Sequence, residues 1–235
     1  MLLGIDTATR RVGVVLASEQ GVLARVEIGG PGETGPPRHA ETLAPAIRDA
    51  CARTGTSLRA VSTVAVGIGP GMFTGLRVGV TTAKMLAHTL RVPVIPISSL
   101  DLLAYPLRWT SDLVVATIDA RRAELYYAIY RPVPGGLQRE SDYELATPDD
   151  LAAELAARGE EALLCGDGVL AFPEAFADLD HVTVASPFQA APDLAALAEL
   201  AVARFEREQF CSAEEVLPMY LRRSDAEIMW DRKGA

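Results

Sequence analysis

Apolar residues crowd the first 28 positions in three short runs. Leu2–Asp6, Val12–Ala17 and Val22–Ile28 are dominated by Val, Ile and Leu, with polar connections at Thr7–Arg11 and Ser18–Gly21. That pattern predicts three β-strands joined by tight turns. Gly29–Pro37 is rich in glycine and proline and reads as a loop. From His39 to Thr54 the apolar positions Leu43, Ile47 and Ala50 recur at helical spacing, and Gly55 supplies a stop. Val61–Ile68 predicts a buried strand that leads into a glycine-rich segment, 67–79. A second helix is expected over Phe73–Leu90, then a strand over Val92–Ile97 and a helix starting at Ser98 or Ser99.

The pattern then restarts. Leu113–Asp119 is an apolar run ending in Ile-Asp, as Leu2–Asp6 does, and Ala123–Tyr130 predicts another strand. A third strand is expected over Gly136–Glu144. Thr147-Pro148-Asp149-Asp150 carries the signals of a helix start: a capping hydroxyl, Pro at the first helical position and acids in the first turn. The succession predicts an α/β chain with mixed sheets and a duplicated unit. The expected division is 1–108, 109–212 and a tail, 213–235. In the tail, Ser224–Ala235 reads as a polar, partly helical extension anchored by Ile228, Met229 and Trp230.

Composition narrows the function. The chain of 235 residues has 22 Lys plus Arg against 31 Asp plus Glu, a net charge of −9, which argues against solo binding of nucleic acid. The acidity is uneven: 14 basic and 10 acidic residues in 1–131 give +4, and 8 and 21 in 132–235 give −13. Cys51, Cys165 and Cys211 are odd in number and lack C-x-x-C spacing, which fits a reducing compartment better than a disulfide framework. No basic, apolar leader precedes Leu2 and no apolar stretch approaches 18 residues, so neither a signal peptide nor a membrane span is expected.

Gly67-Ile68-Gly69-Pro70-Gly71-Met72-Phe73-Thr74-Gly75-Leu76-Arg77-Val78-Gly79 is the densest signal. Placed between a strand and a helix, it is either a tight turn capped near Thr74 or a cradle for an anion. It is neither a Walker A loop nor a dinucleotide fingerprint. Asp6 and Asp119 each end an apolar strand and are either turn formers or carboxylates that face each other across a cleft to hold a metal or orient a phosphate-bound water. Gly79, Ala83 and Ala87 form a small ridge that packs within the chain or against another subunit. His39, His88 and His181 are scattered, and His39 reads as solvated or capping. H-E-x-x-H and Gly-x-Ser-x-Gly are both missing, which speaks against a peptidase or serine hydrolase.

Ile5-Asp6-Thr7-Ala8-Thr9, Gly67–Gly79, Pro96-Ile97-Ser98-Ser99-Leu100, Ile118-Asp119-Ala120-Arg121 and Pro218-Met219-Tyr220-Leu221-Arg222 together resemble the TsaB (YeaZ) family. The resemblance runs from Leu3 to about Arg223. It implies an actin-like, Hsp70-like fold of two ribonuclease-H-like subdomains, the second reduced. It also implies a non-catalytic scaffold in tRNA N6-adenosine-37 threonylcarbamoylation, supporting the catalytic subunit TsaD in the cytoplasm, with the ATPase TsaE as a further partner. Self-association is implied when the partner is absent, and tRNA contact only indirectly. The implied partner interface is Leu43, Ile47, Leu76, Gly79, Val80, Ala83 and Ala87. Asp6, Thr7, Gly69, Gly71 and Asp119 would be a vestigial nucleotide site. Leu43 stands where TsaD has the second histidine of its metal pair, so neither a metal nor a cofactor is expected. Met72 replaces the family's usual Ser. The competing reading is an independent ATPase using Asp6, Asp119 and the glycine loop.

Overall fold

The computed structural model describes residues 1–30 and 38–222; the expected anchor in Ser224–Ala235 lies outside the described residues. Strands β1 (Leu2–Asp6), β2 (Val12–Ser18) and β3 (Gly21–Ile28) form an antiparallel meander. Helix α1 (His39–Thr54) crosses to β4 (Thr63–Gly67), and α2 (Phe73–Leu90) crosses to β5 (Val94–Ile97). Both crossovers return parallel, giving a five-stranded sheet of order β3-β2-β1-β4-β5. All five β1 residues are buried. Its uninterrupted apolar run is what a central strand covered on both faces requires.

After α3 (Ser99–Ala104) the chain builds a second sheet from β6 (Leu113–Arg121), β7 (Glu124–Val133), β8 (Gly136–Arg139) and β9 (Glu144–Ala146). Helix α4 (Pro148–Arg158), β10 (Ala162–Cys165), α5 (Asp167–Ala171), β11 (Val182–Val184) and α6 (Leu194–Glu206) follow. The order β11-β10-β6-β7-β8 repeats the first sheet, with β6 in the place of β1 and β10 in the place of β4. The duplication and the actin-like α/β fold are therefore present. The second copy is reduced at its helices, for the 18-residue α2 is answered by the five-residue α5.

Two expectations are corrected. Gly136–Glu144 is not one strand: β8 pairs with Tyr130–Val133 and β9 with Leu125–Tyr127, both on β7. Between them Ile129 O still accepts the Glu140 N–H (2.8 Å) while Ser141 Oγ accepts the Ile129 N–H (3.0 Å), so a side chain takes over one bond of the ladder where the chain steps off the sheet. The assignment of 109–212 to a second unit also needs revision. Leu194, Leu197 and Ala201 of α6 pack with Leu2, Val15 and Ile95 of the first sheet. Cys211 exchanges both backbone hydrogen bonds with Val94 (2.9 and 3.0 Å), and Ala213 and Val216 join the core beneath α1 and α2. The first sheet is thus covered by α1 and α2 on one face and by α6 on the other. Among the described residues no helix is long and apolar enough to cross a membrane.

Candidate functional site

Asp6 leaves the end of β1 buried, only 4% exposed. Its Oδ1 accepts the Ala8 N–H and its Oδ2 the Ser99 hydroxyl, both at 3.2 Å. Gly67, at the end of the neighbouring β4, is glycine for a steric reason: a Cβ there would overlap Asp6 Oδ2. Burial pushes the Asp6 carboxyl up from 3.8 to about 6, against the pull of its two hydrogen bonds. The chain's own groups therefore hold this carboxylate.

The turn after Asp6 lies flat on the start of α2. Thr7 Oγ1 donates to Gly75 O (2.7 Å), Met72 N–H donates to Ala8 O (2.7 Å), and His39 Nε2 meets Thr9 O (2.7 Å). Gly71, Gly75 and Gly79 recur every four residues, and a Cβ at each would overlap Ala8 O, Thr7 O or Thr7 Oγ1 in turn. The glycine spacing is thus the footprint of the 7–9 turn on α2. Behind the loop, Gly69 O accepts the Ser99 N–H (2.8 Å) and Ile68 O the Met219 N–H (2.7 Å). Met72 caps α2 in an extended conformation (φ −64°, ψ 118°) with no side-chain hydrogen bond, so neither Thr74 nor a neighbour supplies the expected cap. His39 is buried, not solvated.

Asp119 sits on the second sheet with partners of its own. It accepts the Arg121 N–H (2.7 Å) and pairs with the Arg121 guanidinium (2.9 Å). Its own N–H donates to Asp167 Oδ1 (3.0 Å). Burial raises Asp167 to about 6, opposed by that N–H and reinforced by the charge of Asp119. Asp6, Thr7, Gly69 and Gly71 are therefore brought together, and Asp119 answers them in the other repeat beside Asp167. Thr117, whose hydroxyl joins Cys165 O (2.8 Å) to Val169 N–H (2.8 Å), was not singled out from the sequence. Ser99 stood inside the Pro96–Leu100 motif, and Asp167 inside a Cys165-Gly166-Asp167-Gly168 segment that reads as a glycine turn, neither with a role of its own. Among the described residues no group of three His, Cys, Asp or Glu stands together as a metal site.

The expected interface residues need correction. Leu43, Ile47, Leu76, Gly79, Val80, Ala83 and Ala87 are all buried within the chain, between α1, α2, the 7–9 turn and the first sheet. The small ridge faces inward because α2 must approach the turn closely. The outer face of α2 carries exposed Thr74, Thr81, Met85 and Thr89, with Val78 and Thr82 half-buried beside them.

A family model described as TsaD, tRNA N6-adenosine threonylcarbamoyltransferase, matches residues 33–230. The tRNA threonylcarbamoyladenosine biosynthesis protein TsaB of Escherichia coli (strain K12) is 32% identical over 177 residues, 74% of each chain. TsaB of Haemophilus influenzae is 31% identical, covering 98% of this chain and 96% of its own. The chain belongs to the TsaB (YeaZ) family. A solved Pseudomonas aeruginosa chain, described as an uncharacterized protein with similarity to peptidase YEAZ, has the family's shape too. It superposes with a TM-score of 0.79 at 29% identity over 94% of this chain and 99% of that one.

Proposed function

We propose that this chain is a non-catalytic scaffold of tRNA N6-adenosine-37 threonylcarbamoylation in the cytoplasm, docking on the catalytic subunit TsaD through the outer faces of α1 and α2. The two faces of α2 carry the reading. Its inner face is spent on the 7–9 turn, and one of the amides an anion would use, Met72 N–H, is already bonded to Ala8 O. Its outer face presents Thr74, Val78, Thr81, Thr82, Met85 and Thr89 as one uncharged strip, with Met85 66% exposed. An exposed methionine among threonines favours burial against an apolar partner without an ion-pair desolvation cost. On α1 the exposed Ala40, Ala44 and Ala52 offer a low surface for a partner helix.

The family relation supports TsaD as the partner, and the uncharged strip supports these residues as its contact. Two copies of this chain would compete for the same strip, which accommodates self-association when TsaD is absent. TsaE would join the pair, and tRNA contacts fall mainly to TsaD. Co-purification with TsaD tests the reading, followed by an assay of threonylcarbamoyladenosine formation with and without this chain. Thr81→Arg/Met85→Arg is expected to lose TsaD while melting as the wild type does. Normal binding by that variant would refute the surface. ATP hydrolysis by the chain alone, abolished by Asp6→Ala, would favour the independent ATPase.

A further inference from the structure

We propose that the chain binds a small aryl anion, a carboxylate or phosphate carried on a flat ring, in a cavity between the second sheet and α6. The cavity measures about 430 Å³, within the range of small-molecule sites. Neither the Asp6 turn nor the glycine loop lines it. Leu137 of β8 with Leu200 and Ala203 of α6 supply apolar surface, and Tyr105, Tyr130 and Tyr143 supply aromatic surface. Arg139, Arg204 and Arg207 surround it against one lining carboxylate, Asp101.

The polar groups divide into those already committed and those left over. Asp101 Oδ1 accepts the hydroxyls of Tyr130 (3.0 Å) and Tyr143 (2.8 Å), and its Oδ2 accepts Arg204 Nη2 (2.9 Å). Arg204 Nη1 donates to Pro96 O (2.6 Å). That cluster neutralises its own charge and turns both hydroxyls toward Asp101. Arg139 lies over the Tyr143 ring at 4.1 Å and donates to Ser141 O. Its carboxylate neighbour, Asp142, is 3.6 Å away with a 96% exposed side chain, a weak competitor. The Arg207 guanidinium makes no hydrogen bond or ion pair among the described residues. Two guanidiniums with donors to spare thus stand beside aromatic and leucine surface. A guanidinium fork matches carboxylate and phosphate oxygens, and the rings and leucines take a flat apolar body out of water.

Calorimetric titration of the full chain with phenyl phosphate, benzoate and inorganic phosphate tests the site independently of the TsaD reading. At least one aryl anion is expected to bind one site with a Kd of about 1 mM or tighter, and inorganic phosphate at least ~tenfold more weakly. Arg139→Ala/Arg207→Ala is expected to weaken the aryl anion by at least ~tenfold, one charge-assisted contact's worth. Arg59→Ala, at an exposed position outside the cavity lining, should leave it unchanged. Gly136→Phe provides a second variant: Gly136 lines the cavity and no atom stands within 4 Å of where its Cβ would be, so the ring fills open space and should abolish binding. Should the double variant fail to fold, Gly136→Phe decides alone. Failure of both aryl anions to bind, inorganic phosphate binding as tightly, or wild-type binding by the folded cavity variants would overturn the proposal.

Discussion

Gly79 has no room for even one methyl group, because a Cβ would meet Thr7 Oγ1. Gly79→Ala is therefore expected to cost roughly 1–3 kcal/mol, and Gly79→Leu more, by overpacking the chain's own core. Thr7→Ala removes the obstructing hydroxyl along with its hydrogen bond to Gly75 O. The double variant Thr7→Ala/Gly79→Ala should be more stable than the sum of the two single losses by about 1 kcal/mol. Urea denaturation of the four proteins checks this, and strict additivity would refute the contact. Asp6 and Asp167 make a second prediction at this scale. Both carboxyls stand near 6 when folded, against 3.8 ordinarily. Between pH 4 and 6 the folded chain then holds more protons than the unfolded one, so this contribution to stability falls as pH rises through that window. Above it, each buried charge costs the fold on the order of 1–3 kcal/mol. Asp6→Asn/Asp167→Asn should gain stability relative to wild type between pH 4 and 6.5; a constant difference across that range would contradict the assignment.

At the scale of the element, α2 begins on a residue with nothing to offer its amides. Met72 occupies an extended N-cap with no side-chain acceptor, whereas Ser98 and Thr147 cap their helices through hydroxyls. Met72→Ser should stabilise the protein by about 1 kcal/mol, a shift of roughly 2–4 °C in Tm. An unchanged or lowered melting temperature would mean that the methionine's packing outweighs the cap. The elements also show what was legible in advance. The bounds of α1 and α2 could be read because apolar spacing, Gly55 and the glycine loop all agree on them. The Gly136–Glu144 run misled because nothing in its composition marks the step at Ser141, where a hydroxyl takes over one bond of the ladder. The inner and outer faces of α2 were exchanged for a similar reason. A ridge of Gly79, Ala83 and Ala87 reads equally as a docking surface or as a face pressed on backbone, and only the position of the 7–9 turn decides. Asp6 could be found because it ends an apolar run, while its partner Ser99 lies 93 residues away.

The whole molecule is tied together at Asp101. This residue of α3 gathers Tyr130 and Tyr143 from the second half and Arg204 from α6, and α6 in turn packs on the first sheet. The apolar stripe of α6 announces burial but not which sheet it covers, so the return of the chain to the first sheet could not be read from periodicity. The consequence is mechanical: the two halves share this polar node besides their apolar contacts. Asp101→Ala leaves two hydroxyls and a guanidinium without their acceptor, and should cost roughly 2–4 kcal/mol. It should also lower the urea slope, as the halves lose cooperativity and the transition broadens. Removing both charges tests whether the loss comes from the stranded cation. Asp101→Ala/Arg204→Met keeps aliphatic packing on α6 and leaves no unpaired charge, so it should recover about 1 kcal/mol or more relative to Asp101→Ala alone. If the double variant is the less stable of the two, Arg204 acts mainly through Pro96 O, and α6 is held to the first sheet without help from the node.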